Sequence, residues 1–489
     1  MNDSNINQYV FQNTLSNFPR SVQFSAKTLF DKLDPDLEPQ IALVAVPFEG
    51  EDITLVCTDG IDYKSEWFID VKNILRQIPD SYLDSLAADI QGVLWQHKVE
   101  ILELVRKVLD ERCIEKGYRS FTIFPEFMHG YSVSVILQLY GKALQSHYAL
   151  SRNAIRPHPK ETSLIHEAIV HFLYECLNPL KKISEGIASS YLRDHGNEAL
   201  RQAGYWLMKT PEKASGDHGP VGLFHACNVI SSLRYEGSES LGRMILSTKD
   251  HPNVETSIHL QNVISLNNYR GIRKLLEISS NEMYLLCHSK GVYGVGKLKN
   301  ISYDENAENL FVIEFTNHHT WVLKHSEHKM MVVEYGLPNL PSEPIGKKDF
   351  QDQTRIIFPQ FSEEHLSSLW SIADRASKQK HGTMLVITDH AEQEAERLKN
   401  QSTSIRPVQL TPELILPLSS IDGALLVDPT AKCYSIGVIL DGIATKKGDP
   451  SRGARFNSAI RYLDLVSKQK HQCLIVVISE DGMINLMSI

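Results

Sequence analysis

The chain has 489 residues and a formal net charge of −9, with 42% hydrophobic and 22% charged residues. This length predicts about three domains, each able to bury its own core, and the composition is that of a soluble globular protein. The negative charge argues against broad binding to nucleic acid, no stretch reaches the ~20 apolar residues of a membrane span, and the N-terminus lacks the basic and apolar regions of a signal peptide.

Seven cysteines are scattered along the chain without any C-x-x-C pair. This spacing favours reduced core residues over zinc ligands or a disulfide framework. Together with the absence of a signal-peptide pattern, it predicts a cytoplasmic protein.

Residues 1–155 predict an N-terminal α/β domain. Its first 36 residues are mostly polar, and their anchors for docking on a neighbouring element are Phe11, Phe18, Phe24 and Phe30. The pattern then predicts a β-hairpin, a long helical region and two more strands, at 41–57, 80–113, 121–124 and 133–137. Nothing in this domain indicates catalysis.

A polar segment with two prolines, residues 151–160, predicts a linker, and a helical pattern follows it. That helix carries His166 and His171, which are five residues apart. The zinc-protease helix motif spaces its histidines four apart so that both share one helix face. Core and surface positions therefore explain these histidines better than a metal does, and the same holds for His218 and His225.

Residues 156–360 predict a helical and then strand-rich region. Its strand patterns lie at 283–287, 292–295, 310–315 and 330–333. The segment from Gly291 to Lys297 fits the first part of a phosphate-binding loop, but Leu298 occupies the Ser/Thr position and the context is a hairpin. A glycine-rich turn and strand is the preferred interpretation.

Residues 361–489 predict a layered α/β domain with a mixed sheet, so the fold class of the whole chain is α/β. Ser362 is predicted to cap the first helix. The sequence Ser-Lys-Gln-Lys-His occurs twice, at 377–381 and 467–471, and each copy precedes an apolar strand run. We interpret both copies as structural connectors from a helix to a buried strand.

Two segments of this domain combine polar groups with a well-formed scaffold. In the first, Thr411 and Pro412 predict the start of a helix that precedes Asp422-Gly423-Ala424, and a buried strand run follows at 425–427. An acid at such a junction, beside a glycine that lets another group approach the backbone, suits work on a polar ligand. The alternative interpretation is a simple Asp-Gly turn.

The second segment predicts a loop that enters a helix. Gly453 and Ala454 are small, so the free amides of the first helical turn can approach phosphate. Arg452 and Arg455 can add charge-assisted hydrogen bonds there. The alternative is that both arginines are solvated residues at a helix start.

Together these segments resemble the diadenylate cyclase domain family over about residues 361–489. Other matching positions are 382–387, Ala459 and 474–480. The resemblance implies that two such domains face each other, each holding one ATP, and that each 3′-hydroxyl attacks the other α-phosphate to give cyclic di-AMP. It assigns the Asp422 position to the 3′-hydroxyl and to a metal, Mg²⁺ or Mn²⁺, and the Arg-His-Arg motif to the phosphates.

The chain departs from the family at that motif, which here reads Arg455-Phe456-Asn457, and the later Ser-Glu-x-Thr-Asp segment is replaced by residues 463–468. We infer that Arg452 supplies the lost positive charge. The predicted nucleotide-binding residues are Gly423, Ala424, Arg452, Gly453, Ala454, Arg455, Asn457 and Ser458.

The resemblance also implies that the strand-rich region within residues 156–360 is sensor-like, as in family members that carry a sensor before the cyclase domain. The leading hypothesis is a nucleotidyltransferase that makes cyclic di-AMP or a related second messenger, in which the first 360 residues sense a signal and set the pairing of two C-terminal domains. It implies ATP as substrate, a homo-oligomer with facing C-terminal domains and a downstream effector protein. The alternative, favoured by Phe456 and Asn457, is an inactive domain that senses ATP or a dinucleotide and signals to a partner. A third hypothesis, a scaffold without a ligand, must treat both motifs as coincidence.

Overall fold

The computed structural model describes residues 3–50, 53–57, 61–83, 88–113, 117–128, 130–151, 161–184, 196–216, 222–236, 241–279, 282–299, 302–341, 345–378, 382–443, 454–468, 471–479, 482 and 484–488. The chain divides into two units, Met1–Pro341 and Ser342–Ile489. The domain boundaries predicted at residues 155 and 360 stay a prediction.

The helices are α1 (Asp3–Leu33), α2 (Ile69–Leu75), α3 (Asp80–Leu83), α4 (Ala88–Cys113), α5 (Gly141–Gln145), α6 (Leu164–Ser184), α7 (Gly196–Leu207), α8 (Lys209–Ala214), α9 (Leu223–Ser232), α10 (Tyr269–Leu276), α11 (Lys347–Ile357), α12 (Glu363–Ser377), α13 (Ala391–Arg397), α14 (Pro412–Leu418) and α15 (Ala454–Ser467). Within the described ranges, no helix combines the length and apolar composition needed to cross a bilayer.

The strands of the first unit are β1 (Gln40–Pro47), β2 (Thr54–Cys57), β3 (Tyr118–Thr122), β4 (Glu126–Met128), β5 (Tyr131–Tyr140), β6 (Leu150–Ser151), β7 (Glu161–Thr162), β8 (Gly242–Ser247), β9 (Val254–Ile264), β10 (Tyr284–His288), β11 (Gly291–Leu298), β12 (Leu310–Asn317), β13 (Thr320–His325), β14 (His328–Glu334) and β15 (Leu337–Asn339). Those of the second unit are β16 (Thr383–Thr388), β17 (Thr403–Gln409), β18 (Ala424–Val427), β19 (Lys432–Val438), β20 (Cys473–Ile478) and β21 (Ile484–Ser488).

The first sheet places β1 between β2 and β5 in the order β2-β1-β5-β3, with β4 also paired to β5. The predicted hairpin is confirmed, because β1 and β2 are antiparallel with Ala42 opposite Cys57. Ile41 and Leu43 face the large core of this unit, and Ala42 and Val44 face a second core that α4 covers. Both faces are buried, which explains the nearly continuous apolar run.

The N-terminal segment forms the long helix α1, which the sequence did not predict. Phe18 and Phe30 are fully buried in the core, whereas Phe24 is exposed. The helix therefore docks through one face, which confirms the prediction for Phe18 and Phe30; the prediction for Phe24 is wrong, and the Phe11 side chain lies outside the described part of the structure. Pro19 lies inside the helix.

The second sheet has the order β15-β14-β13-β12-β8-β10-β11-β9, and β8 and β10 are its parallel pair. The glycine-rich segment from Gly291 is strand β11 of this sheet, as the preferred interpretation held. A Cβ atom at Gly296 would lie 2.1 Å from the carbonyl oxygen of Glu255 on β9. The glycine thus lets two strands approach, and the segment is no phosphate-binding loop.

His166 belongs to a buried hydrogen-bond network at the start of α6. Its Nδ1 lies 2.8 Å from Ser163 Oγ, and its Nε2 lies 3.0 Å from Glu161 Oε2. Arg119 also contacts Glu161, at 3.0 Å. The hydrogen bond with His166, followed by that with Arg119, lowers the pKa of Glu161 to about 2, against the effect of burial. This network explains His166 without a metal.

Replacing Glu161 with glutamine is expected to destabilise the first unit by about 1 to 3 kcal/mol near neutral pH. Because the folded pKa is lowered, this stabilisation is present above the unfolded value and is lost as the pH falls toward the folded one. Calorimetric unfolding should therefore show a difference between wild type and variant that shrinks below about pH 5. Glu198→Gln, in an exposed pair with Arg201, is the control, and a pH-independent difference for Glu161→Gln would contradict the prediction.

The third sheet, in the second unit, has the order β17-β19-β18-β16-β20-β21, with β16 and β18 parallel and the other neighbours antiparallel. Helix α12 covers one face through Leu369 and Ile372, and α15 covers the other through Tyr462 and Val466. The predicted layered α/β domain with a mixed sheet is thus confirmed.

The two copies of the repeat follow these two helices, which end at Ser377 and Ser467. Since β16 and β20 are antiparallel, with Thr388 opposite Cys473, the helix ends at Ser377 and Ser467 precede strands that run in opposite directions. Residues 379–381, 469 and 470 lie outside the described residues.

Candidate functional site

Helix α14 leads the chain to the end of the third sheet where Asp422 precedes β18. Thr411 caps α14, since its side chain accepts a hydrogen bond from the backbone of Leu414, and Pro412 is the first helical residue. Ser419 ends the helix by donating to the carbonyl of Ile415 at 2.5 Å. The chain then turns through Asp422 and enters β18.

Gly423 makes this turn possible. It has φ +111°, and a Cβ atom there would lie 2.5 Å from the carbonyl carbon of Gly437 on β19. Ala424 lies opposite Val438 in the strand pair. Two glycines, Gly423 and Gly437, therefore allow β18 and β19 to approach each other at the point where the chain passes from Asp422 into β18. The sequence reasoning missed Gly437. An isolated glycine inside a strand pattern is the signal that marks it.

Gly423→Ala is expected to destabilise the second unit by about 1 to 3 kcal/mol from backbone strain, with a further loss from the contact with Gly437. The melting temperature of this unit, followed by calorimetry, measures the effect. In the matched control Gly346→Ala, the new Cβ would meet only Asp349 Oδ2, at 3.4 Å. Equal melting temperatures for Gly423→Ala and wild type would contradict this role of Gly423.

Helix α15 brings Arg455 to the same place. Arg455 Nη2 lies 3.6 Å from Asp422 Oδ1; the Asp422 side chain is 97% exposed and that of Arg455 is 34% exposed. The fold thus joins the two charged residues that the sequence picked out in separate segments. Because the pair is open to solvent, it contributes little to stability, and a ligand can displace it.

The other predicted residues are distributed around this pair. Ala454 is exposed, and Asn457 and Ser458 are half-buried in the first turns of α15. Ala424 points its side chain into the core, so only its backbone is available to a ligand. Arg452 and Gly453 lie outside the described residues.

A partly buried charged network connects α13, α15 and the chain that leaves β19. Arg397 forms two hydrogen bonds to Glu394, at 2.8 and 2.7 Å, and two to Asp441, at 2.5 and 3.0 Å. Tyr462 on α15 donates to Glu394 at 2.7 Å. Gly442 follows with φ +143°, and a Cβ atom there would lie 2.6 Å from the carbonyl oxygen of Arg461.

The ionisation of this network is fixed by its contacts. The hydrogen bonds with Arg397 hold the pKa of Asp441 below its ordinary value. Burial opposes ionisation of Glu394, but Arg397 and Tyr462 outweigh it, so the pKa of Glu394 is lowered as well. Burial and the Glu394 carboxylate raise the pKa of Tyr462. The network therefore stays charged at Asp441, Glu394 and Arg397 and neutral at Tyr462, which suits a structural support for α15.

The donor set around Asp422 limits how a metal would bind. Over the part of the chain that the structure describes, no three His, Cys, Asp or Glu side chains come together as metal ligands. One exposed carboxylate still fits Mg²⁺, which proteins often hold through one or two carboxylates together with substrate phosphates.

Comparison with protein-family models connects this geometry to a family. Residues 371–488 match the model described as DisA bacterial checkpoint controller nucleotide-binding, and this match includes Asp422, Gly423 and Arg455. The C-terminal domain belongs to the diadenylate cyclase family. The resemblance stated from the sequence is thereby confirmed.

The diadenylate cyclase-like domain follows two further matches in the first unit. Residues 12–208 match a probable sensor domain, DACNG, and residues 221–327 match another, DACNH. The strand-rich, sensor-like region predicted before the C-terminal domain is confirmed. The match over residues 12–208 agrees with the leading hypothesis, in which the first 360 residues sense a signal.

Among solved structures, the chain is similar to a hypothetical membrane spanning protein from Bacillus cereus, at 23% identity over 29% of this chain and 70% of that one, with a TM-score of 0.23. Comparison with curated proteins gave no match.

Proposed function

We propose that the protein is a nucleotidyltransferase that condenses two ATP molecules into cyclic di-AMP or a related dinucleotide. The observation that carries the proposal is the exposed pair of Asp422 and Arg455, 3.6 Å apart, at one end of the sheet of a domain of the diadenylate cyclase family. This reaction requires two charged groups. The carboxylate activates the attacking hydroxyl, and the guanidinium binds the phosphate.

Arg455 serves as a phosphate ligand in this proposal. Its planar guanidinium offers paired donors that match phosphate oxygens, and it lies in the first turn of α15, the end of a helix whose dipole favours an anion. A phosphate that binds there replaces Asp422 as the partner of Arg455. The carboxylate is then released to act on the reacting hydroxyl.

Asp422 serves the attacking 3′-hydroxyl. The new bond joins the 3′-oxygen to the α-phosphorus of the second ATP, the bond from that phosphorus to the leaving oxygen breaks, and pyrophosphate leaves. The hydroxyl proton passes to the carboxylate or to solvent. Two such steps close the cyclic dinucleotide and release two pyrophosphates.

Asp422 is the residue that would hold Mg²⁺ or Mn²⁺, since proteins often hold such an ion through one or two carboxylates. When bound, the ion would stabilise the negative charge that develops on the phosphoryl oxygens. Arg455 orients the phosphates, and Asp422 orients the hydroxyl.

A homo-oligomer with facing C-terminal domains is part of the proposal, because one domain with one ATP supplies only one of the two reacting nucleotides. Turnover is expected to rise more steeply than linearly with protein concentration over the range in which the oligomer dissociates. Initial rates and sedimentation velocity on the same dilution series test this. Full specific activity in a sample that sediments as a monomer would contradict it.

A second candidate function is nucleotide sensing without turnover. Phe456 and Asn457 favour it, because they replace the histidine and second arginine that the family uses for phosphate. This domain would then report ATP or a dinucleotide to a partner protein.

Incubation of the full-length protein with each NTP and dNTP, with Mg²⁺ or Mn²⁺, followed by mass analysis of the products, separates the two functions. The proposal expects cyclic di-AMP or a related dinucleotide from ATP. Firm ATP binding without product would favour the sensing function. The absence of both ATP binding and product would reject both candidate functions.

The two probable sensor domains support control of the C-terminal domain by the first unit. A downstream effector protein as partner, and the cytoplasmic location predicted from the sequence, remain part of the proposal.

A further inference from the structure

Helix α15 presents a stripe of buried residues to the third sheet. Ala459, Tyr462 and Val466 belong to it, and each lies three or four residues from the next, as residues on one helix face do. Arg455 precedes Ala459 by four residues and begins the same stripe. Its side chain is 34% exposed, although its Nε is buried. The position of the Arg455 guanidinium therefore depends on how α15 is rotated about its axis.

A hydrogen bond from this stripe fixes the rotation of α15. The hydroxyl of the fully buried Tyr462 donates to Glu394 Oε2 at 2.7 Å, and Glu394 on α13 is 6% exposed. Apolar packing is non-directional and tolerates a small rotation of a helix, whereas a hydrogen bond weakens steeply when its angle changes. Tyr462 is seven residues, or about two helical turns, from Arg455. The bond thus holds the face of α15 that carries Arg455.

The backbone of α15 meets the same network one residue earlier. A Cβ atom at Gly442 would lie 2.6 Å from the carbonyl oxygen of Arg461, so the chain that leaves β19 passes directly against the helix. Asp441 holds this chain through two hydrogen bonds from Arg397, at 2.5 and 3.0 Å. Arg397 also donates two hydrogen bonds to Glu394, at 2.8 and 2.7 Å. One guanidinium therefore fixes both of these contacts with α15.

The chain reaches Asp441 from the end of the sheet at which Asp422 lies. Strand β19 ends at Val438, which is opposite Ala424, and Asp441 follows three residues later. Side chains reach about 5 to 6 Å from a helix axis, so a rotation of about 20° would move a guanidinium by about 2 Å. A misplacement of about 1 Å can lower the rate of a positioned reaction by about a hundredfold. A small rotation of α15 therefore matters to any ligand of Arg455.

We propose that Tyr462, Glu394 and Arg397 are positioning residues for ATP binding. They hold α15 so that the Arg455 guanidinium meets the nucleotide phosphates. Tyr462 and Glu394 are buried, so they act through Arg455 rather than by contact with the nucleotide. This inference rests on the proposed function, because it concerns the same phosphate site, and it adds the residues that set the geometry of that site.

Tyr462→Phe removes the hydroxyl and keeps the buried ring. In titration calorimetry of the full-length protein with ATP and Mg²⁺, below the melting temperature of each variant, it is expected to bind ATP about three- to tenfold more weakly than wild type, the loss typical of one hydrogen bond. Tyr434→Phe on β19 is the matched control, because the Tyr434 hydroxyl donates to Asp428 Oδ2 at 3.1 Å, beyond the other end of β18. It should bind ATP as wild type does.

A double-mutant cycle shows whether Tyr462 acts through Arg455. Arg455→Ala leaves no guanidinium to position, so the addition of Tyr462→Phe to it should change ATP affinity by less than about twofold. A general loosening of the domain would instead lower the affinity by the same factor in both backgrounds. Arg397→Lys keeps the positive charge but cannot bind both carboxylates through paired donors. It should weaken ATP binding at least as much as Tyr462→Phe does, again only when Arg455 is present, and it decides the matter if Tyr462→Phe does not fold.

Equal ATP affinity for wild type and Tyr462→Phe, when Arg455→Ala does weaken binding, would overturn this proposal and leave the proposed function intact. Equal losses from Tyr462→Phe in the wild-type and Arg455→Ala backgrounds would overturn it as well. If Arg455→Ala itself binds ATP like wild type, the phosphate site of the proposed function is wrong, and the positioning role is rejected with it.

Discussion

Asp422→Asn is expected to lower dinucleotide formation by about 10²- to 10⁴-fold, the usual loss for a catalytic acid or base. Asparagine is nearly isosteric, and the Asp422 side chain is 97% exposed, so the fold should persist. The backbone of Gly423 loses little, because its hydrogen bond to Asp422 Oδ1, at 3.1 Å, can pass to the amide oxygen of asparagine. ATP affinity should change much less than the rate, since the carboxylate acts on the hydroxyl rather than on the phosphates.

The control for Asp422→Asn is Asp374→Asn on α12. Asp374 is a partly exposed aspartate of the second unit that pairs with Lys378 at 2.7 Å. Its replacement tests whether the loss of any surface carboxylate in this unit lowers product formation. Product formation per minute, measured by mass analysis at saturating ATP, is the readout. An Asp422→Asn protein that folds normally and turns over like wild type would refute the catalytic assignment.

Arg455→Ala is expected to weaken ATP binding by about tenfold to a hundredfold, because a charge-assisted hydrogen bond to phosphate contributes about 1.5 to 3 kcal/mol. Arg455→Lys should recover only part of the affinity, since an ammonium group cannot form the paired bonds of a guanidinium. Titration calorimetry with ATP and Mg²⁺ measures both variants.

Arg355→Ala on α11 is the matched control, because Arg355 is a partly exposed arginine paired with Glu363. It should leave ATP affinity unchanged. Equal ATP affinity for wild type and Arg455→Ala would remove Arg455 from the phosphate site. Asp422→Asn is thus expected to lower mainly the rate of product formation, and Arg455→Ala to lower mainly the affinity for ATP.

The sequence alone predicted the secondary-structure elements that have strong local signals. Ser362 and Thr411 cap α12 and α14 as predicted, because side-chain capping is a local property of a few residues. The hairpin of β1 and β2 and the buried strands of the C-terminal domain also follow from apolar patterns. The strand β17 was missed because it is a polar edge strand, exposed along almost its whole length, and is held mainly by the backbone of β19.

Contacts between distant residues of the candidate site could not be predicted from local sequence patterns. Local motifs identified Asp422 and Arg455, and the family resemblance brought them into one site, but their contact depends on the order of the strands and on α15. Arg397 and Asp441 are 44 positions apart, and Glu394 and Tyr462 are 68 apart. Their residue types carry no pattern that pairs them, so only the fold reveals the network that supports the site.

Hydrogen exchange with mass analysis, on the full-length protein with and without saturating ATP and Mg²⁺, tests the central claim most directly. It locates the nucleotide whether or not turnover occurs. The account predicts slower amide exchange at residues 421–424 and in the first turns of α15, at 454–458. Saturation with ATP that leaves both segments unchanged and protects other residues instead would contradict it.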